Sequence, residues 1–269
     1  MNALIFDCDG VLADTERDGH RRAFNQAFEE FGLPVQWSEE QYGAALRIGG
    51  GKERMAALLT PELVAQAGLP TDADGQAGEI AKWHQRKTEI YVAMARAGRL
   101  PPRPGIARVV REAQAAGWQL VVCSTSAEPS ARAILENAVG ADRAADFHVL
   151  AGDVVSRKKP APDIYLLALE QLDASPGECV VIEDSRNGLL AAVAAGLTTV
   201  VTVTDYTRDE DFGEAALVVT SLGDPGIDPI EILANRSAAR PTGYVTLADL
   251  EACLQVSWPP VNRPRAALA

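Results

Sequence analysis

Asn2-Ala3-Leu4-Ile5-Phe6-Asp7-Cys8-Asp9-Gly10-Val11 opens the chain: a short apolar run that ends in two carboxylates and a glycine. Residues i and i+2 of a strand face the same side, so Asp7 and Asp9 reach toward one spot at the strand's carboxyl end. In open α/β sheets ligands gather at that edge. Paired carboxylates repel one another and resist burial, so such a spot calls for a cation, a shared proton or a charged substrate. An Asp/Gly turn alone would also explain the pattern. Segments further along the chain decide between the two.

Further apolar runs at residues 120–123, 147–150, 179–182 and 199–203 alternate with helical patterns, one of them over 104–116 and closed by Gly117. Near-continuous apolar strands separated by helices predict an α/β fold: a Rossmann-like, doubly wound parallel sheet covered on both faces. Residues 216–219 read as an edge strand. Residues 224–242, rich in Pro, Gly and Asp, read as a long loop with at most one helical turn. Residues 246–254 read as a helix with Thr246 as N-cap. The stretch 256–269, with three prolines, reads as a loosely held tail.

The alternation is interrupted between Glu16 and Gly98, where helical patterns follow one another with no strand. Ala23, Phe24, Ala27, Phe28 and Phe31 fall at helical spacing. Ser38-Glu-Glu-Gln41 matches a capping box, Gly49-Gly50-Gly51 precedes a helix over 52–59, and 79–97 is a long helix. These patterns predict an all-helical module, residues 16–98, inserted into a core made of residues 1–15 and 99–269.

The chain has 269 residues and a formal net charge of −12. That charge argues against nonspecific binding to nucleic acid or to anionic membranes, but not against an anionic substrate held by a local field. The longest uncharged stretch, 188–204, is broken by Gly196 and reads as a helix followed by a strand, not a membrane span. Cys8, Cys123, Cys179 and Cys253 show no paired metal-ligand spacing. They are expected to be buried free thiols of a cytoplasmic protein. The chain opens into a strand, so no signal peptide is expected. No long exposed apolar stripe is evident, and a monomer is expected.

Four segments should meet at the carboxyl edge of the sheet. They are Asp7 and Asp9; Ser124-Thr125-Ser126, at a strand end before a helix; Lys159-Pro160, just before another helix; and Glu183-Asp184, again at a strand end. Hydroxyls and free backbone N–H groups at such turns suit a phosphate. Four carboxylates would exclude a phosphate dianion unless a hard divalent cation intervened, and Mg²⁺ prefers such oxygen ligands. The expected chemistry is in-line attack by Asp7 on phosphorus. Asp9 would act as general acid and then general base, with Ser124 and Lys159 holding the transferring oxygens. In the helical module Glu16, His20, Lys87 and the turn Gly51-Lys52 with Arg54 are candidate substrate contacts, together with Thr125 and Ser126 of the core. The glycine turn beside Lys52 suits a second phosphate.

This set resembles the motifs of the haloacid dehalogenase superfamily of aspartate-nucleophile phosphatases. The resemblance implies the same roles. It also implies Mg²⁺ held by Asp7, the backbone carbonyl of Asp9, and an acid of the last motif, best matched by Asp184, with Glu183 direct or through water. The module resembles the helical cap of the phosphoglucomutase-like branch. The segments Asp14-Thr15-Glu16, His20-Arg-Arg-Ala-Phe24, Ile48-Gly-Gly-Gly-Lys52-Glu-Arg54-Met55 and Leu222-Gly-Asp-Pro225 resemble the CbbY-like branch, over roughly residues 1–255. That branch includes a phosphatase that removes the 1-phosphate of xylulose 1,5-bisphosphate, so a phosphorylated sugar is the implied small-molecule partner. Ala127 stands where the family often has a polar residue. A phosphomutase of the β-phosphoglucomutase type would use the same core and is the alternative. A metal-independent dehalogenase and a non-catalytic sugar-phosphate binder fit the motifs less well.

Overall fold

A computed structural model of the chain describes residues 2–227 and 229–255. Seven strands form one sheet in the order β3-β2-β1-β4-β5-β6-β7. They are β1 (Ala3–Phe6), β2 (Gln119–Ser124), β3 (Phe147–Ala151), β4 (Cys179–Glu183), β5 (Thr198–Thr202), β6 (Leu217–Val219) and β7 (Ile232–Asn235). All neighbours are parallel except β6 and β7. β1 lies between β2 and β4, and every one of its side chains is buried, as its unbroken apolar run demands. This is the doubly wound α/β sheet expected from the alternation of patterns.

Helices cover both faces. After β1, a π-helical turn (Glu16–His20) leads into α1 (Arg21–Glu30), α2 (Glu39–Ala45), α3 (Gly51–Ala56), α4 (Pro61–Ala67) and the long α5 (Ala73–Arg96). The sheet helices are α6 (Ile106–Ala115), α7 (Glu128–Val139), α8 (Ala141–Ala144), α9 (Asp163–Leu172), α10 (Arg186–Ala194) and α11 (Leu247–Leu254). The capping box at Ser38 and Gln41 forms, and Thr246 caps α11. No helix of the described residues is long and apolar enough to cross a membrane.

The helical insert has its own core, in which Phe24, Phe28, Trp37, Tyr42, Met55 and Trp83 pack together. Ala23 and Ala27 of α1, and Ile90, Tyr91 and Ala95 of α5, instead join the core cluster on one face of the sheet. One stripe of each long insert helix thus faces the insert and another faces the core. This split explains why their apolar positions outnumber what a single face requires.

Two readings need correction. β6 is not the edge: residues 224–242, read as loop, contain β7, which pairs antiparallel with β6. Ile232 and Leu233 are exposed, so β7 carries no buried alternation that would reveal it in the sequence. The helical module also contains α4, which the sequence pattern does not predict; Thr60 caps its start and Gly68, at φ 63°, ends it. In addition, α5 begins at Ala73 rather than residue 79, because Asp72 accepts from the Gly75 N–H. The stretch 256–269, read as a tail, lies outside the described residues.

Candidate active site

Two strand ends deliver three carboxylates. Asp7 follows β1, Glu183 ends β4 and Asp184 follows it; one oxygen from each lies within 4.8 Å of the other two, and all three residues are buried. Two glycines make the packing possible. A Cβ at Gly188 would stand 1.9 Å from Cδ of Glu183, and one at Gly10, where φ is +79°, would stand 2.0 Å from Oδ2 of Asp184. Neither position tolerates a side chain.

Lys159 supplies the counter-charge. Its Nζ donates to Asp7 Oδ1 at 2.6 Å, to Glu183 Oε1 at 2.7 Å and to the Cys123 carbonyl at 2.9 Å. Lys158 points elsewhere, toward Asp153 and Glu53 at the seam with the insert. Glu183 is further saturated by the Tyr165 hydroxyl at 2.6 Å, the Asp184 N–H at 3.0 Å and the Ser185 hydroxyl. The Asp184 carboxylate has no hydrogen-bond or ion-pair partner among the described residues.

Burial, with repulsion from Glu183 and Asp9, pushes the Asp7 carboxyl up to about 8 despite the Lys159 ammonium. Burial and the neighbouring Glu183 and Asp7 raise Asp184 well above the ordinary carboxylate range. One ammonium therefore does not balance three buried carboxyls. The donors are hard oxygens, converge on one point and include a carboxylate with no other partner. A small divalent cation such as Mg²⁺ fits that donor set. Burial raises the Cys8 and Cys123 thiols, so neither offers a ready thiolate.

Asp9 is held apart from this cluster, which corrects the expectation of four carboxylates together. Its Oδ1 accepts from Thr15 Oγ1 at 2.6 Å and from the Tyr91 hydroxyl at 3.1 Å, and meets His20 Nε2 at 2.7 Å; its Oδ2 accepts from Ser126 Oγ at 2.5 Å. Burial alone would raise this carboxyl, but the His20 ring and the bonds from His20, Ser126 and Thr15 outweigh it and hold Asp9 far below its ordinary value. Behind His20 stands Lys87, its Nζ 2.6 Å from His20 Nδ1. Burial lowers the Lys87 ammonium to about 7, with help from Arg54. The His20 ring stacks on Tyr91 with centroids 4.0 Å apart.

A cavity of about 620 Å³ opens above the carboxylates. Asp7, Asp9, Ser124, Thr125, Lys159 and Asp184 line its core side, and Glu16, Arg47, Gly49 and Arg54 line its insert side. Arg54 is braced: it donates to the Tyr42 hydroxyl at 2.8 Å and to the Ile48 carbonyl at 3.0 Å, while Tyr42 donates to Glu16 at 2.5 Å. Ser124 Oγ accepts the Ser126 N–H at 3.1 Å, which shapes the hydroxyl turn.

The structure thus brings Asp7, Asp9, Ser124, Thr125, Lys159, Asp184, Glu16 and Arg54 to one cavity. Glu183, His20 and Lys87 form its buried backing, with the half-buried Ser126 bound to Asp9. Gly51 and Lys52 do not line it; Lys52 is bound to Asp153 at 2.6 Å, and Gly51 faces His84. Sequence reading missed the roles of Thr15, Tyr91, Tyr165, Tyr42 and Arg47. The tyrosines are buried among apolar side chains, and only the reach of their hydroxyls makes them polar partners.

Residues 1–196 match the family model of haloacid dehalogenase-like hydrolases. The chain is 47% identical over 228 residues to a CBBY-like protein of Arabidopsis thaliana, covering 83% of this chain and 70% of the relative. It is 42% identical over 227 residues to the CbbY protein of Cereibacter sphaeroides, covering 84% and 94%. A crystal structure of CbbY from Rhodobacter sphaeroides in complex with phosphate superposes with a TM-score of 0.73 at 40% identity, over 84% of this chain and 96% of that one. An aspartate-to-asparagine variant of the same protein, solved with xylulose-(1,5)bisphosphate, superposes equally well. The chain therefore belongs to the haloacid dehalogenase-like hydrolases. Within them it falls in the CbbY-like branch of phosphatases.

Proposed function

We propose that this chain is a Mg²⁺-dependent phosphatase of a phosphorylated sugar, and that it removes the 1-phosphate of a pentulose bisphosphate such as xylulose 1,5-bisphosphate. The observation that carries the reading is the convergence of Asp7, Glu183 and Asp184 at the base of a cavity whose far wall holds Arg54 and Arg47. The bound sugar bisphosphate of the Rhodobacter sphaeroides protein supports the substrate class.

Asp7 is the nucleophile. Lys159 holds its Oδ1, which leaves the other oxygen to attack phosphorus and form an aspartyl-phosphate. Asp7 and Asp184 would hold Mg²⁺, with the Asp9 carbonyl as the resemblance implies, while Glu183 anchors Lys159 and Tyr165. When bound, the ion supplies charge neutralisation for the phosphoryl oxygens. Ser124 and Lys159 take the remaining oxygens. Asp9 protonates the leaving alkoxide and then takes a proton from the attacking water. Its four acceptor contacts keep it ionised, ready for the second task. The path from Lys87 through His20 delivers the proton needed for the first.

The insert, residues 16–98, serves as a cap over residues 1–15 and 99–269. It excludes water from the aspartyl-phosphate and reads the rest of the sugar through Glu16, Arg54 and the glycine turn.

The test is phosphate release with Mg²⁺ from xylulose 1,5-bisphosphate, ribulose 1,5-bisphosphate and simple monophosphates, with Asp7→Asn as control. The expected result is a strong preference for the xylulose compound and none from Asp7→Asn. Indiscriminate release would overturn the substrate, and release by Asp7→Asn would overturn the nucleophile.

A further inference from the structure

Arg103 sits where the chain re-enters the core after the insert. Its guanidinium donates to four main-chain carbonyls, those of Gly10, Thr202, Val203 and Thr220, and among the described residues to no carboxylate. These come from three separate places: the loop after β1, the end of β5, and the residue after β6. The main chain adds a further tie, from the Arg103 N–H to the Leu12 carbonyl at 3.0 Å. The outgoing and returning segments also pair at Ala13 and Pro102. A planar fork with five donors can satisfy this arrangement; a lysine ammonium cannot reach all four acceptors.

The Gly10 carbonyl that Arg103 grips belongs to the residue directly after Asp9, and a Cβ at Gly10 would collide with the Asp184 carboxylate. Gly10 also donates to the Ala13 carbonyl at 2.9 Å, within the outgoing segment. A displaced Gly10 peptide therefore moves Asp9, and a displaced insert pulls on the same peptide through Ala13 and Pro102. We propose that Arg103 is a positioning residue, which fixes Asp9 for proton transfer and ties its placement to the seating of the insert. The inference rests on the reading of Asp9 as general acid.

That role has a signature that simple loss of structure lacks. An alkyl phosphate needs its leaving oxygen protonated; p-nitrophenyl phosphate, with a stable leaving anion, needs it far less. The experiment measures kcat/KM of wild type, Arg103→Lys and Arg103→Met on both esters, with a thermal melt of each. A misplaced acid should cost the alkyl ester about 10²-fold, the scale of a displacement of about 1 Å, and the aryl ester about tenfold less than that. Combining Arg103→Met with Asp9→Asn should add little further loss on the alkyl ester, because both act at one step. Equal losses on the two esters, fully additive losses in the double variant, or unchanged kcat/KM would overturn the proposal. A wild type that hydrolyses neither ester would instead overturn the phosphatase reading, so the two failures are distinct.

Discussion

Lys159 lies 2.6 Å from Asp7, a residue 152 positions earlier in the chain, and the same ammonium lies 2.7 Å from Glu183. A single cation thus holds the proposed nucleophile and a neighbouring carboxylate that would otherwise repel it. Removing one partner of a buried pair leaves the other charge uncompensated, at about 3–5 kcal/mol. Lys159→Met is therefore expected to unfold at lower denaturant concentration and to lose about 10²–10³-fold in turnover. Lowering the pH should recover part of the stability, since the stranded carboxylates then take up protons. A variant with wild-type stability at pH 8 would show that the ammonium does not hold the site together.

Among the described residues the Asp184 carboxylate has no hydrogen-bond or ion-pair partner, whereas Glu183 accepts from Lys159, Tyr165 and Ser185. This difference predicts how the two respond to metal. Mg²⁺ at about 100 times its dissociation constant should stabilise the wild type by about 2.7 kcal/mol. Asp184→Asn should remain folded and lose that shift. Glu183→Gln should keep it and lose stability instead, because its oxygens serve Lys159 and Tyr165. Thermal melts with and without Mg²⁺ separate the cases, and the opposite pattern would make Glu183 the direct ligand.

The sequence exposed the core of this site because its chemistry sits in short segments at strand ends. Asp7, Ser124 and Asp184 stand at the ends of apolar runs whose place in a parallel sheet is dictated by burial, and Lys159 stands shortly before helix α9. What it concealed depends on side-chain reach. Tyr91 and Tyr165 occupy core positions of α5 and α9 and become functional only through their hydroxyls. Nothing in the sequence around Arg103 marks the four carbonyls that its guanidinium reaches from distant segments. β7 was hidden for the opposite reason, since an exposed edge strand imposes no buried pattern.

Lys87 gives the protein a calculable pH response. In the unfolded chain its ammonium titrates at 10.5; in the folded protein burial lowers it to about 7. Between those values the unfolded state binds the extra proton, so this residue makes stability rise with pH across the window. Below about 7 both states are protonated and the full penalty, of order a few kcal/mol, is present. Lys87→Met is expected to gain most over wild type near pH 6 and to lose that advantage toward pH 10.5. The same substitution strips His20 of its partner, so turnover on alkyl phosphates should fall while the melting temperature at pH 6 rises. Parallel loss of both would show that Lys87 is a structural prop and not a strained functional group.

Lys52 and Asp153 pair at 2.6 Å across the seam between insert and core, and both side chains are substantially exposed, at 44% and 58%. As it stands, Lys52 does not line the cavity in which Arg54 does. If the glycine turn receives a second phosphate, Lys52 must first release Asp153, so the carboxylate competes with substrate for one cation. Exposed pairs of this kind are worth about 0.2–1 kcal/mol, which limits the effect to about fivefold. Asp153→Asn should lower KM for a sugar bisphosphate by that small factor and leave KM for a monophosphate unchanged. Lys52→Ala should raise KM for the bisphosphate alone. Lys158 also holds Asp153, at 2.9 Å, and Glu53 at 3.4 Å, so the substitution frees a core cation as well. Lys158→Ala then serves as the control: it loosens the same seam without emptying the turn, and it should leave the bisphosphate KM where it was. A rise in KM with Asp153→Asn would mean that the pair positions the glycine turn for substrate and does not compete with it.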